Sequence, residues 1–136
     1  MSSLSVVALS ILVTDDEDSI RNLLVSWLQR FGHDVSSAGN ARDALRYAAK
    51  QTFDLVITDI VMPDGDGFEL IGVFRKKQPA ARILAISGGG KFLQGADCLN
   101  VARGLGADAV LMKPFSWEQL QAAVDRALLA PESIGA

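Results

Sequence analysis

Five residues of this chain could do chemistry if the fold brought them together: Asp15 and Asp16 in the run TDDED, Asp59 in ITDI, Ser87 in AISGG, and Lys113 in front of Pro114. Singly they carry little. An Asp pair often caps a helix, a Ser after a strand opens a turn, and Lys-Pro is ordinary surface punctuation. Converged on one rim they are different, because clustered carboxylates raise each other's pKa until a cation neutralises them. With oxygen ligands and neither His nor Cys among them, that cation is expected to be Mg²⁺, which keeps several waters and bridges carboxylates to phosphate. Lys113 would add a compact positive charge opposite the metal, and Ser87 one hydrogen bond. Such a set suits a phosphoryl group in flight, where positioning and charge neutralisation supply most of the catalysis. Asp59 is the best-placed nucleophile for an aspartyl phosphate.

The elements that must position these residues alternate along the chain. Short apolar runs at Ala8 to Thr14, Asp34 to Ala38, Leu55 to Asp59, Ile83 to Ser87 and Ala109 to Met112 read as strands. Helical patterns lie between and after them. The first has a stripe of Ile20, Leu23, Leu24, Trp27 and Leu28, with Asp18 and Ser19 as candidate caps and Gly32 as its stop. The second opens after Asn40 and puts Ala41, Ala44, Leu45, Ala48 and Ala49 on one face; the third carries Phe68, Ile71 and Phe74 before Pro79. A short fourth carries Leu99, Ala102 and Leu105 before Gly106, and the last runs from a Ser116 cap through Leu120, Val124, Ala127 and Leu128 to Pro131. Apolar strands alternating with one-faced helices predict a doubly wound α/β domain: five parallel strands covered on both sides by five helices. In that architecture the carboxyl ends of the strands share one rim, where ligands bind. All five chemical residues fall at such ends.

Composition narrows the class. The chain has 136 residues, a formal net charge of −3 and 49% hydrophobic residues, enough to fill one core without disulfides or a structural metal. No Lys/Arg block marks a nucleic-acid or membrane surface, so direct DNA binding is not expected. Cys98 is the only cysteine and His33 the only histidine, which argues against disulfides, zinc sites and Cys-His catalysis and fits a reducing, cytoplasmic compartment. The apolar stretch Leu4 to Val13 is too short to span a bilayer.

Over residues 10 to 130 the pattern resembles the receiver domain of two-component response regulators. ILVTDDED is similar to that family's first strand and acidic pair, DLVITDIVMPDGDGFEL to its phosphoacceptor strand and following loop, ILAIS to the strand ending in the switch hydroxyl, and GADAVLMKPF to its fifth strand. The resemblance implies a flavodoxin-like sheet with strand order 2-1-3-4-5. It implies that Asp59 accepts phosphate from a histidine kinase or histidine phosphotransfer protein, and that Asp15, Asp16 and Asp59 hold Mg²⁺ with the Val61 backbone carbonyl. It implies also that Ser87 bonds a phosphoryl oxygen, that Lys113 pairs with the phosphoryl group, and that the Lys113–Pro114 peptide is cis.

Two stretches depart from the family. The aromatic usual three residues before the lysine is here Val110, a stiff β-branched side chain with no ring to rotate inward. After the fourth strand, SGGGKFLQGADC concentrates Gly88, Gly89 and Gly90. One reading makes this loop an order–disorder switch set by Ser87, the other a passive connection. A phosphate-binding nucleotide loop is excluded there, since Ala85 stands at the first Gly position of the motif and Phe92 follows Lys91. Val61 and Gly89 occupy the positions that tune acyl-phosphate lifetime in the family, and neither side chain can bond an attacking water, so slow self-hydrolysis is expected.

Of the remaining residues, His33 reads as a connector, Trp27 as part of the helix-one core stripe, Phe115 as packing under the last helix and Cys98 as a small apolar side chain. Met62-Pro63 and Asp64 to Gly67 read as a turn in which Asp64 and Asp66 need no ligand role. The whole predicts a single receiver domain over 1–136, with its core at about 8–130 and no output domain. It is not an enzyme beyond its own phosphorylation and dephosphorylation, and it signals to a downstream protein target, with a homodimer as one permitted assembly. A docking-only degenerate receiver and a Mg²⁺-dependent aspartyl-phosphate phosphohydrolase are the rivals. The second is disfavoured because TDDED pairs its acids differently from the nucleophilic Asp-x-Asp that such hydrolases carry on strand one, and no cap insertion offers a substrate pocket.

Overall fold

The computed structural model describes residues 8–60, 62, 67–88, 100 and 102–130. Five parallel strands, β1 (Ser10–Thr14), β2 (Asp34–Ala38), β3 (Leu55–Asp59), β4 (Arg82–Ser87) and β5 (Ala109–Met112), form one sheet in the order β2-β1-β3-β4-β5. The flavodoxin-like order expected from the resemblance is the one observed. The connections are helices α1 (Asp18–Arg30), α2 (Ala41–Lys50) and α3 (Gly67–Lys77), a fourth helix, α4, described at 102–105, and the last helix, α5 (Trp117–Leu129).

Successive strand residues point to opposite faces, so each strand feeds two cores. Ile11, Val13, Leu55, Ile57, Leu84 and Ile86 pack with Leu24 and Leu28 of α1 and Leu120, Val124 and Ala127 of α5. Leu12, Val56, Ile83 and Ala85 pack on the other side with Ala44 of α2, Leu70, Ile71 and Phe74 of α3, and Ala102 of α4. β3 is buried along its whole length. That makes it the central strand and pins Asp59 at the centre of the rim.

Several local signals act as read. Asn40 caps α2 by accepting from the Asp43 amide at 2.8 Å, Ser116 closes a capping box with Gln119 at the start of α5, and Gly32 ends α1 with φ +89°. The start of α1 differs from expectation: the cap position is Glu17, whose side chain makes no cap hydrogen bond. Asp18 instead pairs with Arg21 one turn on. The α1 stripe is also narrower than its periodicity suggests, because Leu23 lies 41% exposed while Leu24 and Leu28 are buried. Trp27 is partly buried, meeting Phe115 and Trp117 edge-on, so Phe115 does pack against the α1–α5 side. His33 connects α1 to β2, its Nδ1 accepting the Leu9 amide at 3.1 Å. Burial lowers its pKa, consistent with a neutral ring that accepts at Nδ1.

Candidate functional site

β1 delivers Asp15. Its amide donates to Ala38 O at 3.2 Å, one carboxylate oxygen, Oδ1, accepts the Glu17 amide at 2.9 Å, and its carbonyl accepts Arg21 Nη1 at 2.7 Å. The residue is wholly buried and so cannot swing away. Its second oxygen, Oδ2, is buried and has no hydrogen-bond donor.

β3 delivers Asp59, which is 5% exposed. Directly behind it the chain passes very close: the Gly67 amide donates to Ile60 O at 2.6 Å, and a Cβ on Gly67 would lie 2.0 Å from Asp59 O. Only glycine fits there. β4 ends in Ser87, which is fully buried and paired in the ladder with Met112. Its carbonyl accepts the Lys113 amide at 2.8 Å, extending the β4–β5 pairing by one bond and seating Lys113 on the rim. The Lys113–Pro114 peptide is cis, as the resemblance implies.

The Lys113 ammonium gathers the acids. Nζ lies 2.9 Å from Glu17 Oε1, 3.0 Å from Asp15 Oδ2 and 3.3 Å from Asp59 Oδ2. The contacts to Glu17 and Asp59 have hydrogen-bond geometry, whereas the Asp15 Oδ2 contact is a charge pair alone. Burial opposes the charge on Lys113, but the bond to Glu17, the charge pair with Asp15 and the negative charge of Asp59 outweigh it and hold its pKa above the usual lysine range. For Asp59 the balance runs the other way. Burial raises its pKa to about 6; Lys113 lowers it, and the charges of Asp15 and Asp16 add to the rise. A carboxylate whose pKa is moved by burial and by charged neighbours on a shared rim is a functional-site candidate.

Asp15, Asp59 and Lys113 therefore come together, with Ser87 on the adjoining strand end. Asp16 is exposed and reaches the cluster through its charge. Glu17 takes the third place among the acids: one carboxylate oxygen from each of Asp15, Glu17 and Asp59 lies within 4.8 Å of the others. The sequence reading missed Glu17. Its position in the TDDED run was the available signal, but a third acid after a strand reads equally well as a helix-start residue. The Val61 carbonyl, Gly89, Cys98, the turn residues Pro63, Asp64 and Asp66, and the glycine loop after Gly88 lie outside the described residues. Val110 is half-buried against the α2–α3 core, opposite Ala85 in the ladder, with no ring at that place.

A family model for the response regulator receiver domain matches residues 11–125. The chain belongs to the response regulator receiver family. Among relatives of this receiver, the DNA-binding transcriptional regulator NtrC of Azospirillum brasilense is 40% identical over 121 residues, which are 89% of this chain and 24% of that protein. The receiver spans about a quarter of the length of the NtrC relatives it matches. Among solved structures, the chemotaxis response regulator CheY4 of Vibrio cholerae superposes with a TM-score of 0.79 at 31% identity, covering 90% of this chain and 100% of that one. The beryllofluoride-activated NtrC4 receiver domain dimer superposes with a TM-score of 0.77, also at 31% identity, over 88% of this chain and 95% of that one. No helix among the described residues is long and apolar enough to cross a membrane.

Proposed function

We propose that this receiver is phosphorylated on Asp59, with Mg²⁺, by a phosphohistidine donor on a histidine kinase or histidine phosphotransfer protein. The observation that carries the reading is the meeting of Asp15, Asp59 and Lys113 on one rim, where one carboxylate oxygen from each of Asp15, Glu17 and Asp59 lies within 4.8 Å of the others. Three carboxylates share a single ammonium, which leaves net negative charge on the rim that a further cation would neutralise. All-oxygen donors without His or Cys suit Mg²⁺, and Asp15 and Asp59 would hold it, with exposed Asp16 completing the acidic side. Once bound, the ion supplies charge neutralisation for the transferring phosphoryl group.

The chain's own residues do the rest. An Asp59 carboxylate oxygen forms the new P–O bond as the P–N bond to the donor imidazole breaks, and the imidazole leaves with the electron pair and takes a proton. Lys113 neutralises charge on the phosphoryl oxygens, and Ser87, aligned on the neighbouring strand, provides a hydrogen bond to one of them. Output then passes to a protein target rather than to DNA directly, in keeping with a net charge of −3 and no basic run. A cytoplasmic location, an activated homodimer like that of the NtrC4 receiver, and the lack of turnover on any outside substrate belong to the same proposal.

Incubation with acetyl phosphate and Mg²⁺ followed by intact-mass measurement is expected to add one phosphoryl group to the wild type and none to Asp59→Asn. Labelling that survives Asp59→Asn would overturn the assignment. A wild type that stays unlabelled would favour a docking-only receiver, and sustained phosphomonoester hydrolysis a phosphohydrolase.

A further inference from the structure

An ammonium has three N–H donors, and around Lys113 Nζ stand three carboxylates, at 2.9 Å (Glu17), 3.0 Å (Asp15) and 3.3 Å (Asp59). A phosphoryl group on Asp59 brings three more anionic acceptors to a lysine already surrounded. Some contact must yield, and the three are not equal. The side chains of Asp15 and Asp59 are 1% and 7% exposed, so removing the cation from either leaves a buried anion. Glu17 is 57% exposed and can return to water at little cost. It also sits at the N-cap of α1 rather than at a strand end.

A second feature points the same way. Glu17 holds the N-cap position of α1 but makes no side-chain cap bond there. Its carboxylate is committed instead to Lys113, 96 positions along the chain, while its backbone amide fixes Asp15 Oδ1 at 2.9 Å. The helix forgoes the usual cap contribution, and the site gains a counter-ion.

We propose that Glu17 is a positioning residue for phosphoryl transfer: it holds Lys113 in the resting receiver and surrenders it to the phosphoryl group. The inference rests on Asp59 being the phosphoacceptor. Glu17 thus competes with the phosphoryl group for one cation, and removing its charge should strengthen binding of a phosphoryl mimic.

The test measures beryllofluoride affinity by calorimetry, with Mg²⁺ saturating for each protein, in wild type, Glu17→Gln and Asp59→Asn. In parallel, NMR of the Glu17 carboxyl carbon and the Lys113 Nζ follows wild type with Mg²⁺ alone and after beryllofluoride. Glu17→Gln is expected to bind beryllofluoride about threefold more tightly, the scale of a partly exposed ion pair. The Glu17 signal is expected to become solvent-like only when beryllofluoride arrives. A merely structural role would weaken binding or leave it unchanged, and either result with normal wild-type binding overturns the role of Glu17 while leaving Asp59 in place. Release of Lys113 by Mg²⁺ alone overturns it too. Wild type that binds no beryllofluoride, like Asp59→Asn, takes down the phosphoacceptor reading and this inference together.

Discussion

Gly67 shows how closely the phosphoacceptor strand is held from behind. The three atoms nearest to a Cβ at Gly67 are all backbone: Asp59 O at 2.0 Å, Ile60 Cα at 2.8 Å and Asp59 C at 3.0 Å. No side chain can rotate to make room, so relief must come from moving backbone, either the segment that carries Asp59 or the start of α3. Gly67→Ala is therefore expected to cost about 2–3 kcal/mol and to reduce acetyl phosphate labelling together with stability. Urea unfolding and intact-mass labelling of the same variant check both, and an unchanged unfolding midpoint would show that the backbone yields easily. The stretch Asp64 to Gly67 was legible as a turn. Which glycine makes the contact, and with which atom, was not, because a sub-3 Å approach depends on how α3 docks on the sheet.

At the scale of elements, the two helices flanking Lys113 start in contrasting ways. α5 has a full capping box: Gln119 N donates to Ser116 Oγ at 3.1 Å and Ser116 N to Gln119 Oε1 at 2.8 Å. That motif is local, three residues apart, and the sequence reading found its cap. Ser116→Ala should cost about 1 kcal/mol, lowering the melting temperature by roughly 4 °C. Labelling at Asp59 should be unaffected, since the cap touches none of the acids. Thermal melts with and without the substitution decide it, and a loss of labelling would mean that α5 positions Lys113 more directly than the bonds indicate. α1 could not be read in the same way. Asp18 and Ser19 have cap chemistry, but Asp15 and Lys113 claim the groups around Glu17, and those partners come from a strand end and a segment across the sheet.

At the scale of the whole molecule, the rim holds more negative charge than Lys113 can balance, so the metal-free fold is strained electrostatically. A folded pKa of about 6 for Asp59, above its ordinary 3.8, means that the folded state binds the proton more tightly than the unfolded chain. The stability from this group is complete below about pH 4 and is lost as pH rises through 6. At pH 8 with chelator the full penalty is present. Asp59→Asn should then melt higher than wild type. Mg²⁺ should stabilise wild type, by about 3 kcal/mol at a hundredfold excess over Kd, and should stabilise Asp59→Asn far less. Melting both proteins at pH 8 with EDTA and with Mg²⁺ checks the signs. A lower melting temperature for Asp59→Asn in EDTA would mean that its bond to Lys113 outweighs the burial of its charge.

By itself the sequence determined the alternation of strands and helices, the caps at Asn40 and Ser116, the stop at Gly32, and the placement of Asp15, Asp59, Ser87 and Lys113 at strand ends. All of these follow from periodicity or from contacts a few residues apart, and the resemblance to receivers supplied the strand order. Tertiary structure alone decided that Leu23 faces solvent, that Asp16 stays outside the tight cluster, and that Glu17 enters it. Spacing says which residues share a face or a rim. It does not say which of three adjacent acids reaches a lysine 96 positions away, because that depends on the angle at which α1 leaves β1 and on which carboxylate meets Lys113 once the sheet has closed.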